Sequence, residues 1–314
     1  RLLITRGRPE EQIPRICAAI NARSVHISAD FGPFGTRRDE AVAAALSDIP
    51  LVATGSPYLV SPGRVTKDDG SPYKVFTPFF RRWREVGWRA PAQSDTTTVD
   101  WINPAGIGAL PPRVQAPNPG VALDFPAGEA AATRRWKEFL AEGVTNYATD
   151  RDRPDKPGTS RMSAHLKYGT IHPRTMAADL DSHATGGGAY VRELAFRDFY
   201  AAVLHQWPRS AWHNFNPGFD AIEVNTGPEA QAGFQAWQQG RTGYPIVDAG
   251  MRQLSATTGD GLSGSSHQLT QFLTGHPRTT ILFLALPVLA EQFLNFLVGF
   301  VDTILSGRIS TAAT

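Results

Sequence analysis

Lys156-Pro157-Gly158-Thr159-Ser160-Arg161-Met162-Ser163 is the stretch on which the fold of this chain turns. A glycine followed by hydroxyl residues at the start of a helix gathers backbone N–H groups, side-chain hydroxyls and one guanidinium around a single point. Such a point suits a phosphate, because a helix N-terminus carries partial positive charge and unsatisfied donors. Ordinary helix capping uses the same residue types, so the stretch alone leaves both readings open. The next helical pattern, Ala189 to Tyr200, puts Tyr190, Glu193 and Arg197 at i, i+3 and i+7 on one face. An aromatic ring, a carboxylate and a guanidinium on one face suit a flat heterocycle beside an anion. A solvent-facing ion pair would look the same.

Around these two segments the pattern is helical from 129 to 254, with helices predicted near 129–142, 160–168, 173–180, 188–205 and 245–255. Upstream, short apolar runs alternate with helical stretches. Arg1–Thr5 reads as a strand, Glu10–Ala22 as a helix, Ser24–Ala29 as a strand, Arg38–Ser47 as a helix and Leu51–Thr54 as a strand. That β-α-β-α-β order predicts a parallel sheet flanked by helices. Residues 91–128 are Pro- and Gly-rich with little periodicity and read as a linker over the surface.

Downstream, Asp260–Gly275 is polar and Gly/Ser-rich, and Thr279–Val301 is almost continuously apolar. The apolar run has about the ~20 residues needed to span a bilayer. Pro287, Glu291, Gln292 and Asn295 interrupt it, and a buried core helix is the other reading.

Composition narrows the class. Cys17 is the sole cysteine, which excludes a disulfide framework and favours a reducing, cytoplasmic setting. The net charge of +2 gives only a weak pointer to an anionic partner. No metal-ligand spacing stands out, so no metal is expected.

Three long segments carry a resemblance: KPGTSRMSAHLKYGTIHPRT (156–175), YVRELAFRDFYAAVL (190–204) and FQAWQQGRTGYPIVDAGMRQL (234–254). In order and spacing they are similar to the flavin domain of the DNA photolyase/cryptochrome family. HISADFGPFGTRRDEAVAAAL and SPYKVFTPFFRRW resemble that family's antenna domain, so the resemblance covers about 1–258. It implies an incomplete α/β Rossmann-like antenna domain over 1–90, the linker 91–128, and a partial all-α FAD-binding domain over 129–258. A tail with an apolar C-terminal helix follows over 259–314.

The resemblance also implies roles. Tyr147, Tyr190 and Arg197 match flavin contacts, and Thr159, Ser160, Arg161, Met162 and Ser163 match the loop around the FAD diphosphate and ribityl chain. Glu193 matches a flavin-site carboxylate that hydrogen-bonds the damaged pyrimidines, and Phe196 stands where a tryptophan commonly stacks on the lesion. Reduced FAD in that family absorbs blue light and donates an electron to a cyclobutane pyrimidine dimer in DNA. The dimer must leave the duplex stack, and phosphates beside it need cations, for which Arg151, Arg153 and Lys167 are candidates. A cryptochrome-like blue-light photoreceptor is the alternative activity. The antenna pigment, deazaflavin or folate, stays open.

Departures from the family are equally legible. An opening strand and helix are expected before Arg1, and Val224 occupies about the place of an outer electron-transfer tryptophan. After 257–259 the family's His-Asn-Arg motif and inner tryptophans do not follow. Instead LALPVLAEQFLNFLVGFVDTILSGRIS (284–310) resembles the first membrane segment of multidrug and toxin extrusion (MATE-type) transporters. That implies a chimeric chain with a membrane-associating tail, otherwise a monomer, with a nonfunctional fusion as a further alternative.

Overall fold

Helix α1 (Pro9–Ile20) starts on a proline at its first position with Glu10 and Glu11 in the first turn, both favourable at the positive end of the helix dipole. It stops at Asn21, whose left-handed backbone (φ 51°) lets the chain turn back. Strand β1 (Val25–Ile27), helix α2 (Pro33–Ala45) and strand β2 (Leu51–Ala53) follow. The two strands pair in parallel, with Val25 opposite Leu51 and Ile27 opposite Ala53. Cys17 of α1 and Val42 of α2 are buried together with Leu46, and Ile13, Val25 and Leu51 close over them. Each such aliphatic side chain contributes roughly 1.5–3 kcal/mol on full burial.

The computed structural model describes residues 3, 5–93, 95–103, 126–153, 155–223 and 225–258. Among these the expected β-α-β-α-β series reduces to β1-α2-β2 preceded by α1, a two-stranded sheet in a mostly helical chain. Most of the strand expected at 1–5, most of the linker, Val224 and the tail from 259, including the apolar helix at 279–301, lie outside the described residues. Among the described residues no helix is long and apolar enough to cross a membrane.

Helix α3 (Phe76–Val86) falls where periodicity alone assigns no element. Its apolar face is Phe76, Phe79 and Trp83, and its other face carries Arg81, Arg82, Arg84 and Glu85. Next come α4 (Glu129–Glu142), α5 (Tyr147–Asp150), α6 (Ser163–Tyr168), α7 (Pro173–Ala178) and α8 (Thr185–Gln206). Helix α8 opens on Gly186 and Gly187 because nothing larger fits. A Cβ on Gly186 would stand 1.8 Å from the Val144 carbonyl oxygen, and one on Gly187 2.1 Å from that of Asp181.

Contacts divide the described residues into two units, 3–103 with Ala127–Ala211, and Pro126 with 212–258. In the first unit α3 lies on α8 through an aromatic cluster: Phe76 stacks on Phe196, and Phe79 meets Phe199 at 5.1 Å between centroids. The second unit holds α9 (Pro228–Gln238) and α10 (Pro245–Thr258). There Asp248 accepts hydrogen bonds from the Thr242 and Gly243 N–H groups at 2.7 and 3.0 Å, fixing the turn that leads into α10.

Trp83 is fully buried at the α3–α8 contact, whereas Tyr168 at the end of α6 is 81% exposed. Trp83→Ala is expected to lower the unfolding free energy by about 3–5 kcal/mol, and Tyr168→Ala by less than about 0.5 kcal/mol. Chemical denaturation followed by circular dichroism measures both.

Candidate functional site

Helix α8 positions the site, and its buried face shows how. Tyr190, Val191, Leu194, Ala195, Phe196, Asp198 and Phe199 all point inward. Tyr190 stands in an aromatic box, 5.0 Å from Tyr147 and 5.3 Å from both Trp136 and Phe139. Its hydroxyl shares a 2.7 Å hydrogen bond with the Ser160 hydroxyl, and the Met162 N–H also donates to that Ser160 oxygen at 3.4 Å. Arg135 on α4 holds the same loop from outside, donating to the Ser160 carbonyl at 3.0 Å and to the Thr159 carbonyl at 3.2 Å. Arg161 follows Ser160 in the left-handed region at φ 55°. For a residue with a Cβ that conformation costs about 1–2 kcal/mol, which the surrounding bonds offset.

One helical turn along, Glu193 pairs with Arg151, and both side chains are 18% exposed. Burial pushes the Glu193 carboxyl above its ordinary range, although the charge and hydrogen bond of Arg151 pull it down. Arg151 also lies over the Tyr147 ring, 5.8 Å from its centroid, so Tyr147, Tyr190, Arg151 and Glu193 form one connected group.

The structure thus gathers Tyr147, Ser160, Met162 and Tyr190 and joins Glu193 to them through Arg151. It does not bring Arg197 or Phe196 into that box. Arg197 donates to the Pro57 carbonyl at 2.6 Å and lies 4.6 Å from the Tyr58 ring centroid. Its link to the loop's side is a long 3.5 Å contact with the Leu166 carbonyl on α6. Phe196 presents its ring to Phe76, so the face that would meet a lesion is covered by α3.

A diphosphate fits one part of this arrangement. Ser160 and Tyr190 are buried against each other and shape the loop. Arg161 and Ser163 are exposed and Thr159 is half-buried, so a cation and two hydroxyls stand at the loop's accessible side. That donor set suits the anionic part of a dinucleotide. Of the three cations expected to meet DNA, Arg151 is committed to Glu193, and Arg153 grips Asp155 through two bonds of 2.8 and 2.7 Å.

Sequence reasoning missed Asp198 and the backbone it holds. The Val60 N–H and the Trp83 indole N–H both donate to one Asp198 oxygen, at 2.8 and 2.9 Å. His172 and Arg174 donate to the carbonyls of Ser56 and Leu59 in the same segment. His172 also accepts from the Arg174 N–H through Nδ1, so both ring nitrogens are used in the neutral form, and burial holds its pKa down. The signal was available: Asp198 follows Leu194 by four residues, an ionisable group inside an apolar stripe.

Comparison with known proteins identifies what the chain is similar to. Residues 1–96 match the family model described as DNA photolyase, and residues 190–262 match that of the FAD binding domain of DNA photolyase. The chain is therefore similar to DNA photolyases in both its α/β and its helical parts. It is 34% identical over 284 residues to a deoxyribodipyrimidine photo-lyase of Synechococcus, covering 82% of this chain and 56% of that protein. The photo-lyase of Streptomyces griseus is 32% identical over 95% of this chain and 64% of its own length. Among solved structures, a bacterial class III photolyase from Agrobacterium tumefaciens superposes with a TM-score of 0.65 at 27% identity, covering 81% of this chain and 55% of that one. The chain spans little more than half the length of most of these relatives.

Burial pushes the Asp198 carboxyl up to about 7, against the hydrogen bonds from Val60 and Trp83 that favour its charge. The unfolded carboxyl titrates near ~3.9, so between the two values the folded chain binds the extra proton. Stability is therefore expected to fall as pH rises from about 4 to 7. Asp198→Asn removes that titration, and its melting temperature should lose this component of the pH dependence in a scan across the same window.

Proposed function

We propose that the chain binds FAD and carries the chemistry of a deoxyribodipyrimidine photo-lyase. Similarity to curated photo-lyases supports the reading, and one observation carries it: the Ser160–Tyr190 bond docks the matched helix α8 onto the hydroxyl-rich loop. FAD, when bound, supplies a light-excited electron donor. Thr159, Arg161 and Ser163 hold its diphosphate, and the aromatic box of Tyr147 and Tyr190 keeps water from the loop's inner side. Glu193 hydrogen-bonds the damaged pyrimidines. Arg151 anchors that carboxyl and holds it in place. Arg197 and Phe196, which the resemblance matches to the flavin and the lesion, face Pro57 and Phe76 in the structure.

In this reading 1–90 belongs to a Rossmann-like antenna domain, 91–128 is the linker and 129–258 belongs to an FAD domain. The partner is DNA carrying pyrimidine dimers, the setting is cytoplasmic, and an antenna pigment completes the light path. The transporter-like stretch 284–310 is the mark of a fused tail.

Absorption of the purified chain tests the proposal first: flavin bands in the blue are expected, and a chain that retains no flavin after reconstitution overturns it. Arg161→Ala should then weaken flavin binding by roughly 1.5–3 kcal/mol, the scale of a hydrogen bond to a charged group, measured by titration with FAD. Loss of cyclobutane dimers under blue light reads the activity itself. Deleting 260–314 should leave flavin binding intact; loss of both solubility and flavin would make the tail an integral part of the fold.

A further inference from the structure

The segment 56–60 lies against the middle of α8, and each of its residues is held by a side chain from the helical part. His172 donates to the Ser56 carbonyl at 2.8 Å, Arg197 to that of Pro57 at 2.6 Å, and Arg174 to that of Leu59 at 3.2 Å. Arg197 also faces the Tyr58 ring, 4.6 Å from its centroid. Asp198 closes the set by accepting from the Val60 N–H at 2.8 Å, and the same oxygen accepts from the Trp83 indole at 2.9 Å. One carboxyl thus fastens both 56–60 and α3 to α8. Two demands on it oppose each other. The N–H groups of Val60, Trp83 and Leu59 favour its charged form, whereas an exposure of only 2% favours the neutral acid. Burial wins, holding the carboxyl up to about 7. Once 56–60 lifts, water reaches Asp198 and its pKa returns toward the ordinary ~3.9. A group that is more acidic in the open form than in the closed one draws the segment open as it loses its proton.

From this geometry we infer that Asp198 is a proton-operated clamp: its neutral acid keeps 56–60 closed on α8, and its ionisation lets the segment open. The clamp is local, so it differs from a general loss of stability, and it stands on contacts within the chain rather than on flavin or DNA. Opening also takes Pro57 and Tyr58 away from Arg197, so one proton sets whether that guanidinium is engaged. The other groups around the carboxyl do not supply the switch. Arg197 on α8 and Arg174 on α7 carry guanidinium groups, which keep their charge in proteins. Burial raises the Tyr58 phenol above its ordinary range, so it stays neutral throughout. Burial lowers His172 from its ordinary range, which confines its titration to the acid end. Helix α3 contributes only the Trp83 indole, because its arginines and Glu85 lie on its other face.

Hydrogen exchange of the full chain tests the clamp, read by mass spectrometry on peptides spanning 56–60 and corrected for the chemical exchange rate at each pH. The opening equilibrium should rise as pH climbs from about 5 to 7, by up to about tenfold per unit, and level off above about 7. Asp198→Asn keeps the shape, cannot ionise and should give a flat profile. His172→Gln should retain the wild-type profile. Trp83→Phe removes one donor that favours the anion and should move the plateau to higher pH. Peptides of α1 and α2 are the reference and should not respond. An equal response there reports global unfolding and overturns a local clamp. A profile that survives Asp198→Asn, or one that His172→Gln abolishes, overturns it as well. Should Asp198→Asn fail to fold, the Trp83→Phe variant decides: a plateau that stays in place or moves to lower pH overturns the inference.

Discussion

One buried carboxylate organises the first unit of this chain. Asp198 accepts from the Val60 N–H and the Trp83 indole, two groups far away in sequence, and so ties α8 to both the 56–60 segment and α3. That segment is irregular backbone, and irregular backbone can be buried only if its polar groups are satisfied. His172, Arg174 and Arg197 complete the task by donating to the carbonyls of Ser56, Leu59 and Pro57. The helical part therefore does more than pack against the α/β part: it supplies hydrogen bonds that the latter lacks. A carboxylate this deeply buried remains expensive to charge, so its protonation and the integrity of the joint are coupled.

The candidate site inherits its order from that joint. With α8 held, Tyr190 reaches the aromatic box and Ser160, and Glu193 reaches Arg151. The same joint draws two other residues away from the loop. Arg197 spends its guanidinium on Pro57 and Tyr58, and Phe196 spends its ring on Phe76. Side chains on one helix face thus serve different neighbours, since a helix of 22 residues passes several elements along its length. Periodicity identifies the shared face; it does not say which neighbour each turn meets.

Charge is distributed by the same logic. Acidic and basic residues close in sequence, such as Arg153 and Asp155 or Lys156 and Asp150, neutralise each other locally. On α3 the basic residues outnumber the available carboxylate, and the apolar half of the helix is locked against α8. Positive charge therefore accumulates on its open face, beside aromatic rings that hold Arg192 in place.

By itself the sequence determined the strongly local features. It specified the helices at 129–142 and around 188–205, the two strands with their crossover, and the kinship carried by 156–175 and 190–204, because these depend on short-range periodicity and on runs of residues in register. It also named Ser160 and Tyr190 as neighbours in function, though only through resemblance. The tertiary structure alone decided that these two hydroxyls bond each other, that Arg151 belongs to Glu193, and that Phe196 lies under Phe76. It likewise revealed α3 and α9 as helices, the former because its apolar face finds α8. Those outcomes depend on pairings across 30 to 120 residues of chain. A long-range partner is chosen by burial, geometry and competing polar demands, and none of these is written in the spacing of residues along one segment.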